Sequence, residues 1–164
     1  MLRIKDRTAG QHGGMTDLAQ FAELVKLDHG LCVVVTMRAD HTPQSTVVNA
    51  GVLAHPTTGE QVVGFVAAGS ARKLVHLRAD PTIAVVVRAG WRWVTVEGRA
   101  DLIGPDDPDP HGAVDGERLR LLLREVFTAA GGAHDEWPTF DRVMADERRA
   151  AVLVSPTRVY ASPG

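Results

Sequence analysis

The order of the extended segments is the feature of this sequence that most restricts its fold. Three stretches rich in β-branched residues follow one another: Leu31–Met37, Gln44–Leu53 and Gln61–Ala67. Turn-forming residues, among them Asp, Pro and Gly, separate these stretches at 39–43 and 55–59. Short turns favour antiparallel pairing, because a parallel pair needs a crossover connection of a dozen or more residues. The three stretches therefore predict an antiparallel meander.

Helices are predicted around this block of strands. In chain order, the further elements are a helix from Thr16 or Asp17 to about Asp28, a short helix capped by Ser70 and ending near Ala79, strands at Thr82–Arg88 and Trp91–Ile103, helices at Asp115–Ala130 and Trp137–Arg149, and final strands at Ala151–Ser155 and Arg158–Ala161. Strands in a block with helices at the margins favour a small antiparallel barrel over a parallel βαβ sheet. We therefore predict one mainly β (α+β) domain over residues 1–164, with a flexible stretch at 1–15 and an inserted loop and helix pair at 104–149.

Charge and composition exclude several classes of protein. The 164-residue chain has a formal net charge of −2, so no basic surface for nucleic acid is expected. Its single cysteine, Cys32, excludes a disulfide framework and a cysteine-cluster metal site. No run approaches the roughly 18 apolar residues that suggest a membrane span. Because Met1–Met15 also lacks the apolar core of a secretory signal, we expect a cytoplasmic protein.

The strand at Trp91–Ile103 has two different faces. Every second residue on one side suits a barrel interior, whereas the other side carries two tryptophans. The two sets are Val94, Val96, Gly98, Ala100 and Leu102, and Trp91, Trp93, Thr95, Glu97 and Arg99. Large aromatic side chains on an outer face predict a covering element. The cover is a partner subunit or a planar ligand, or alternatively a C-terminal helix of the same chain.

Few side chains are candidates for catalysis. The seven histidines form no H-x-x-x-H or H-x-x-H pair, so no metal site is predicted. The run Asp106–Asp109 lacks the spacing and glycine of a calcium loop and is expected to be a solvated acidic loop. Cys32 lies in an apolar strand and no G-x-S-x-G elbow is present, so a nucleophilic hydrolase is not supported. No catalytic side chain is assigned.

The segment Gly69–Lys73 has the features of an anion-binding helix start. It follows a predicted strand, and helix N-termini attract anions through their free N–H groups and dipole. Arg72 can contact a phosphate with two parallel hydrogen bonds, and Lys73 supplies a compact charge. A surface ion pair with Asp80 or another nearby acid is the alternative explanation.

Three motifs, in this order along the chain, resemble the pyridoxamine-phosphate-oxidase-like split β-barrel family. The first is the hairpin Val33–Asp40 with Pro43 and Val47-Val48-Asn49, which matches the family's opening hairpin. The second is the segment Gly69–Lys73 with His76-Leu77 and Asp80-Pro81, which is similar to the family's S-R-K…L…N-P phosphate segment. The third is Trp93–Gly98, which resembles the family's V-R-V-E-G strand. The resemblance covers roughly residues 17–103. It implies an FMN-binding-like split barrel and a homodimer that holds two flavin-type cofactors in grooves at its interface.

The resemblance also implies which residues contact the cofactor. Arg72 and Lys73 bind its phosphate next to Ser70, and Ala67 and Ala68 pack near the phosphate or ribityl chain. The strand Thr46, Val47, Val48 and Asn49 lines the ring with backbone groups. Trp93 contacts the cofactor from the other subunit, with Trp91 beside it, and Arg92 and Asn49 are candidates for polar contacts in the groove.

The sequence differs from true pyridoxamine-phosphate oxidases at several of these positions. Thr46 stands where those enzymes have an arginine that contacts FMN, Trp93 stands where they have glutamine, and Ala67-Ala68 replaces a Tyr-Thr pair. Their basic substrate-binding residues near the C-terminus have no match, so vitamin B6 oxidation is not expected. The chain is more similar to the branch that uses the deazaflavin coenzyme F-420, in which short Ala- and Arg-rich sequences predominate.

The expected function is therefore hydride transfer between coenzyme F-420 and an electron-poor small molecule such as an enone, a quinone or a tetrapyrrole. One alternative is an FMN-dependent oxidoreductase on the same scaffold. A second is a non-catalytic protein that binds a cofactor or haem. A third is a purely structural dimer contact at the tryptophan pair, with an empty groove.

Overall fold

The computed structural model describes residues 17–164 as six strands and four helices. The elements are α1 Ala19–Leu27, β1 Leu31–Met37, β2 Pro43–Ala54, β3 Gln61–Ala67, α2 Arg72–Ala79, β4 Thr82–Ala89, β5 Arg92–Ile103, α3 Gly116–Ala129, α4 Trp137–Asp146 and β6 Ala150–Ala161. The strands close into an antiparallel barrel in the order β1-β2-β3-β6-β5-β4, and β4 pairs back to β1. The predicted barrel with peripheral helices is confirmed. The stretch 1–15, predicted to be flexible, and the candidate cap Thr16 lie outside the described residues.

Two strand boundaries differ from the sequence-based ones. Trp91 belongs to the turn between β4 and β5, so that β5 begins at Arg92. The two predicted final strands are one strand, because β6 continues through Pro156 with a register shift opposite Glu97 and Gly98. A shift of this kind lets a strand accommodate a proline, which cannot donate a backbone hydrogen bond.

The observed helix ends differ in places from those predicted from residue types. Ser70 does not cap α2: the helix begins at Arg72, and Ala71 occupies the N-cap position without a side-chain hydrogen bond. Asp115, the predicted first residue of α3, is its N-cap: its carboxylate accepts the Arg118 N–H at 2.8 Å, and the helix begins at Gly116. The last predicted helix ends early, at Asp146, because Arg148 adopts a left-handed backbone with φ of 49°.

The barrel interior is apolar, as the alternation in β5 predicts. Val94, Val96, Gly98 and Ala100 are buried, although Leu102 is only half-buried. Thr95 alternates with the interior residues and so lies on the outer face as predicted, but it is only 7% exposed; its cross-strand neighbours are Val86 and Tyr160.

A second apolar core lies outside the barrel. Val62, Ile103 and Leu153 on β3, β5 and β6 pack with α3 and α4, which contribute Val126 and Phe140 among others. Segment 104–149 therefore covers one outer face of the barrel and gives β3 buried residues on both faces. None of the helices within residues 17–164 has the length and apolar character needed to cross a membrane.

The loop that begins this segment is less solvated than predicted. Asp107 and Asp109 are buried, at 8% and 9% exposure. Asp107 accepts two hydrogen bonds from Arg78, at 2.7 and 2.8 Å. Asp109 accepts the backbone N–H groups of His111, Ala113 and Val114. These partners stabilise the buried carboxylates, so the acidic run is an ordered structural loop.

Candidate functional site

A cavity of about 570 Å³ lies between the barrel wall and the helix pair. The barrel side contributes backbone and side chains of β2 and β3, and the start of α2 contributes Lys73. The opposite wall comes from α3 and α4, with Phe127, Phe140 and Met144, and Arg149 lies at the Ala67–Ala68 end of the cavity, just before β6. We call this space the central cavity.

The central cavity brings together half of the residues proposed to contact a cofactor. The residues on its wall are Val47, Val48, Asn49, Ala67, Ala68 and Lys73. Six others do not line it: Thr46, Ser70, Arg72, Trp91, Arg92 and Trp93. Ser70 lines a neighbouring shallow depression, and the side chain of Arg72 is exposed.

The first half of β2 presents a free backbone edge beside the cavity. Residues 43–49 pair with β1, from Pro43 opposite Met37 to Asn49 opposite Leu31. Pairing of β2 with β3 begins only at Ala50, opposite Phe65. One edge of the strand at 43–49 therefore has no strand partner within the described chain. Its N–H and C=O groups are available to the heteroatoms of a planar ring, which suits a cradle of backbone groups.

Lys73 gives the cavity its cationic character. Its side chain is half-buried, and burial lowers the pKa of the ammonium group because the charged form is poorly solvated there. Among residues 17–164, no aspartate or glutamate lines the cavity. The alternative ion-pair partner Asp80 is engaged elsewhere, since its carboxylate accepts the Thr82 N–H at 3.0 Å. An anionic ligand would offset the burial of this charge.

The outward tryptophans lie apart from the cavity wall. Trp91 is 95% exposed, so no helix of the described chain covers it. Trp93 is half-buried and makes an edge-to-face contact with Tyr160 of β6, with ring centroids 6.1 Å apart. The alternative that a C-terminal helix covers this pair is therefore wrong: α3 and α4 pack over the core formed by β3, β5 and β6.

Sequence reasoning missed a side-chain cluster at His55, Asp101 and His111. Asp101 Oδ2 lies 3.0 Å from His55 Nε2 and 3.2 Å from His111 Nε2. His55 Nδ1 accepts the N–H groups of Thr57 and Thr58, at 3.1 and 3.3 Å. This hydrogen bonding assigns the His55 proton to Nε2, where it is donated to Asp101.

The cluster fastens the loop carrying His111 to the barrel. A metal-binding histidine normally donates from its second nitrogen, whereas His55 accepts there, so the donor pattern is that of a hydrogen-bonded triad. The two histidines lie 46 and 10 positions from Asp101, so no spacing motif could have found the cluster.

The family model for pyridoxamine 5'-phosphate oxidase matches residues 18–161. The chain belongs to the pyridoxamine 5'-phosphate oxidase family. This is a family of flavin-binding oxidoreductases on a split-barrel scaffold. The match includes the helix pair at 104–149, so that segment is part of the family match along with the barrel.

Solved structures with the same fold include proteins of several descriptions. A conserved hypothetical protein from Mycobacterium tuberculosis is 20% identical, with 94% of this chain and 89% of that chain covered, at a TM-score of 0.64. An F-420 reductase is 23% identical over 79% and 88% of the two chains, at 0.52. An FMN-binding protein related to pyridoxamine 5'-phosphate oxidase, from Nostoc punctiforme, is 11% identical over 90% and 85%, at 0.62. At these identities the likeness shows the shared fold.

Proposed function

We propose that this protein is a coenzyme F-420-dependent oxidoreductase that transfers hydride between the deazaflavin and an electron-poor small molecule of the enone, quinone or tetrapyrrole type. The observation that carries the proposal is the central cavity. Six residues that the family resemblance connects with the cofactor line one space; one of them is the half-buried cation Lys73, and no carboxylate of the described chain lines the space.

The residues present fit a ring with an anionic tail. The free edge of β2 at 43–49 offers backbone donors and acceptors to the heteroatoms of the ring. Lys73 offers a charge to the phosphate of the tail. Phe127, Phe140 and Met144 make the opposite wall apolar, which excludes water from the reacting ring face.

When bound, the deazaflavin supplies the hydride chemistry, and the protein contributes orientation and dry surroundings. No side chain has to act as a nucleophile. This division of labour agrees with the lack of an assigned catalytic side chain in the sequence.

FMN is the second candidate cofactor. A phosphate-bearing isoalloxazine has the same combination of ring and anion, and one protein with this fold is described as FMN-binding. Phosphate binding by Lys73 suits either cofactor, and the preference for the deazaflavin rests on the similarity of this Ala- and Arg-rich chain to the F-420-using branch.

We also propose that the active form is a homodimer. Val33 and Val47 are direct cross-strand partners and are 40% and 64% exposed, which leaves an apolar surface on the outer face of β1 and β2. In the dimer, the Trp91–Trp93 segment of one copy completes the cavity of the other. This arrangement explains why these three residues do not line the cavity of their own chain.

Fluorescence titration of the purified protein tests the cofactor directly. We expect oxidised coenzyme F-420 to bind with micromolar affinity and FMN to bind much more weakly. Preference for FMN would assign the protein to the second candidate function. If neither binds, the oxidoreductase proposal is wrong, although the fold stands. Binding of F-420 without turnover of enones, quinones or tetrapyrroles would favour a non-catalytic role.

A further inference from the structure

Arg149 is a second cation on the wall of the central cavity. It lines the cavity together with Lys73. Arg149 immediately precedes Ala150, which pairs with Ala67, and Ala67 and Ala68 also line the cavity. Arg149 therefore enters at the Ala67–Ala68 end, where α2 brings Lys73 a few residues further along the chain.

The backbone at the end of α4 places Arg149 where it borders the central cavity and two neighbouring surface depressions. Arg148 adopts a left-handed conformation with φ of 49°, an arrangement more usual for glycine at a helix end. The Arg149 N–H then returns to the Met144 carbonyl at 2.9 Å. Arg148 itself turns away and donates to Asp106, at 2.9 Å from its Nε. The two adjacent arginines therefore make different contacts: Arg148 pairs with Asp106, and Arg149 lines the central cavity.

The same turn is attached to the segment that carries Lys73. The Gly69 N–H donates to the Glu147 carbonyl at 3.0 Å. A Cβ added to Gly69 would lie 2.6 Å from the Arg148 carbonyl oxygen, so the two backbones are in close contact. This attachment fixes the backbone segment that leads to Lys73 against the segment that leads to Arg149.

One carboxylate, that of Glu147, competes weakly with an anionic ligand for the Arg149 guanidinium. Its Nε donates to the Glu147 carboxylate at 2.6 Å, but the two side chains are 31% and 46% exposed. An ion pair this exposed contributes little to stability and is easily exchanged. The cavity wall itself has no carboxylate among the described residues. Two half-buried cations line the same cavity, and the only carboxylate paired with either of them in the described chain is the exposed one of Glu147, so the cavity favours an anionic occupant.

We infer that Lys73 and Arg149 form an anion-binding subsite for the phosphate of the ligand, and that segment 104–149 is consequently part of the binding site. The inference deepens the proposed function, but it concerns a phosphate group and does not depend on which ring is attached. Arg149 binds the anion with its guanidinium fork, and Lys73 contributes a point charge.

Inorganic phosphate is the probe, because it tests the subsite without any cofactor. Its dissociation constant is measured from the NMR shifts of the Gly69 and Lys73 amides in the full-length protein. We expect Arg149→Gln to weaken phosphate binding about tenfold, and Arg149→Lys to retain part of the affinity. Arg142→Gln is the matched control: Arg142 lies on the exposed side of α4, lines none of the cavities described, and should leave the constant unchanged.

Glu147→Gln should raise the affinity for phosphate, whereas Arg149→Gln should lower it. A merely structural role of Arg149 would not produce this increase. The Glu147→Gln substitution removes the competing carboxylate and keeps the backbone carbonyl that accepts from Gly69. We expect phosphate to bind a few times more tightly. The inference is overturned if phosphate does not shift these amides, or if Arg149→Gln binds phosphate as tightly as the wild type. Should phosphate binding depend on Arg149 while neither F-420 nor FMN binds, the subsite stands and the proposed function fails.

Discussion

Lys73 is half-buried on the cavity wall, and burial lowers the pKa of its ammonium group. Desolvation of a charge costs free energy that a bound phosphate can offset through a charge-assisted hydrogen bond. Because only three lysines occur in the chain, this position is also unusual in composition. At the residue scale, Lys73 links the sequence motif to the cavity.

Lys73→Ala should weaken cofactor binding by about 1.5–3 kcal/mol, the scale of a hydrogen bond to a charged group. Fluorescence titration with F-420 measures the change. Lys26→Ala is the control, since Lys26 lies exposed in the last turn of α1. Unchanged affinity in Lys73→Ala would indicate that the central cavity does not hold the cofactor phosphate.

Cys32 is a residue whose burial affects stability at high pH. Burial in β1 raises the pKa of its thiol from 9.0 to about 12, and nearby Asp28 adds to the rise. In the unfolded chain the thiol ionises near its ordinary pKa, so the unfolded state binds fewer protons than the folded state between about pH 9 and 12. The free energy of unfolding therefore falls as the pH rises through this range.

Comparison of the wild type with Cys32→Ala isolates this effect. Between pH 8 and pH 10, the wild type should lose about 1.4 kcal/mol more unfolding free energy than the variant, as measured by urea denaturation. Parallel pH profiles for the two proteins would show that the thiol ionises as readily in the folded state as in the unfolded one.

At the scale of elements, the contact between α3 and β2 requires glycine at position 51. A Cβ added to Gly51 would lie 2.0 Å from the carbonyl oxygen of Ala129. Backbone atoms cannot move away as a flexible side chain can, so the end of α3 must shift or the strand must bend. The close approach positions the helix end that forms part of the cavity wall, including Ala130.

Gly51→Ala should reduce the free energy of unfolding by about 1–3 kcal/mol, because it overpacks this contact. Gly116→Ala is the matched control: an added Cβ there meets nothing within 4 Å, and the residue begins α3 with ordinary backbone angles. Urea denaturation measures both variants. Equal stability of the two would contradict the close packing of α3 on β2.

At the scale of the whole molecule, the apolar outer face of β1 and β2 needs a cover. Val33 and Val47 are exposed beside the free edge of β2, and Trp91 is 95% exposed at the β4–β5 turn. Exposed apolar groups next to an unpaired strand edge favour association. A homodimer would cover these residues and would bring a second chain to each cavity.

The surface carries a matched pair of valines for testing the dimer. Val33 is 40% exposed on β1, and Val143 is 39% exposed on α4. We expect the wild type to be a dimer by light scattering, Val33→Glu to be largely monomeric, and Val143→Glu to remain a dimer. Circular dichroism checks that each variant is folded. A monomeric wild type, or a folded Val33→Glu that stays dimeric, would contradict the proposed interface.

The barrel could be predicted because each of its signals is local. Alternation in β5 and the turn residues at 39–43 and 55–59 act within a few residues of one another. The failure of Ser70 as a cap and the burial of Thr95 on the outer face of β5 have the opposite cause. They depend on where α2 begins and on what surrounds β5 in the folded chain.

The sequence by itself determined the positions of the strands along the chain, the family resemblance and the candidate cofactor residues, including Lys73. Only the tertiary structure decided the order of strands around the barrel, the contribution of Phe127, Met144 and Arg149 to the central cavity, and the triad at Asp101. Residue patterns report the conformation of a segment and the face that it buries. Convergence of side chains from segments far apart in the chain depends on packing distances, such as the Gly51 contact with α3, and no local pattern encodes those distances.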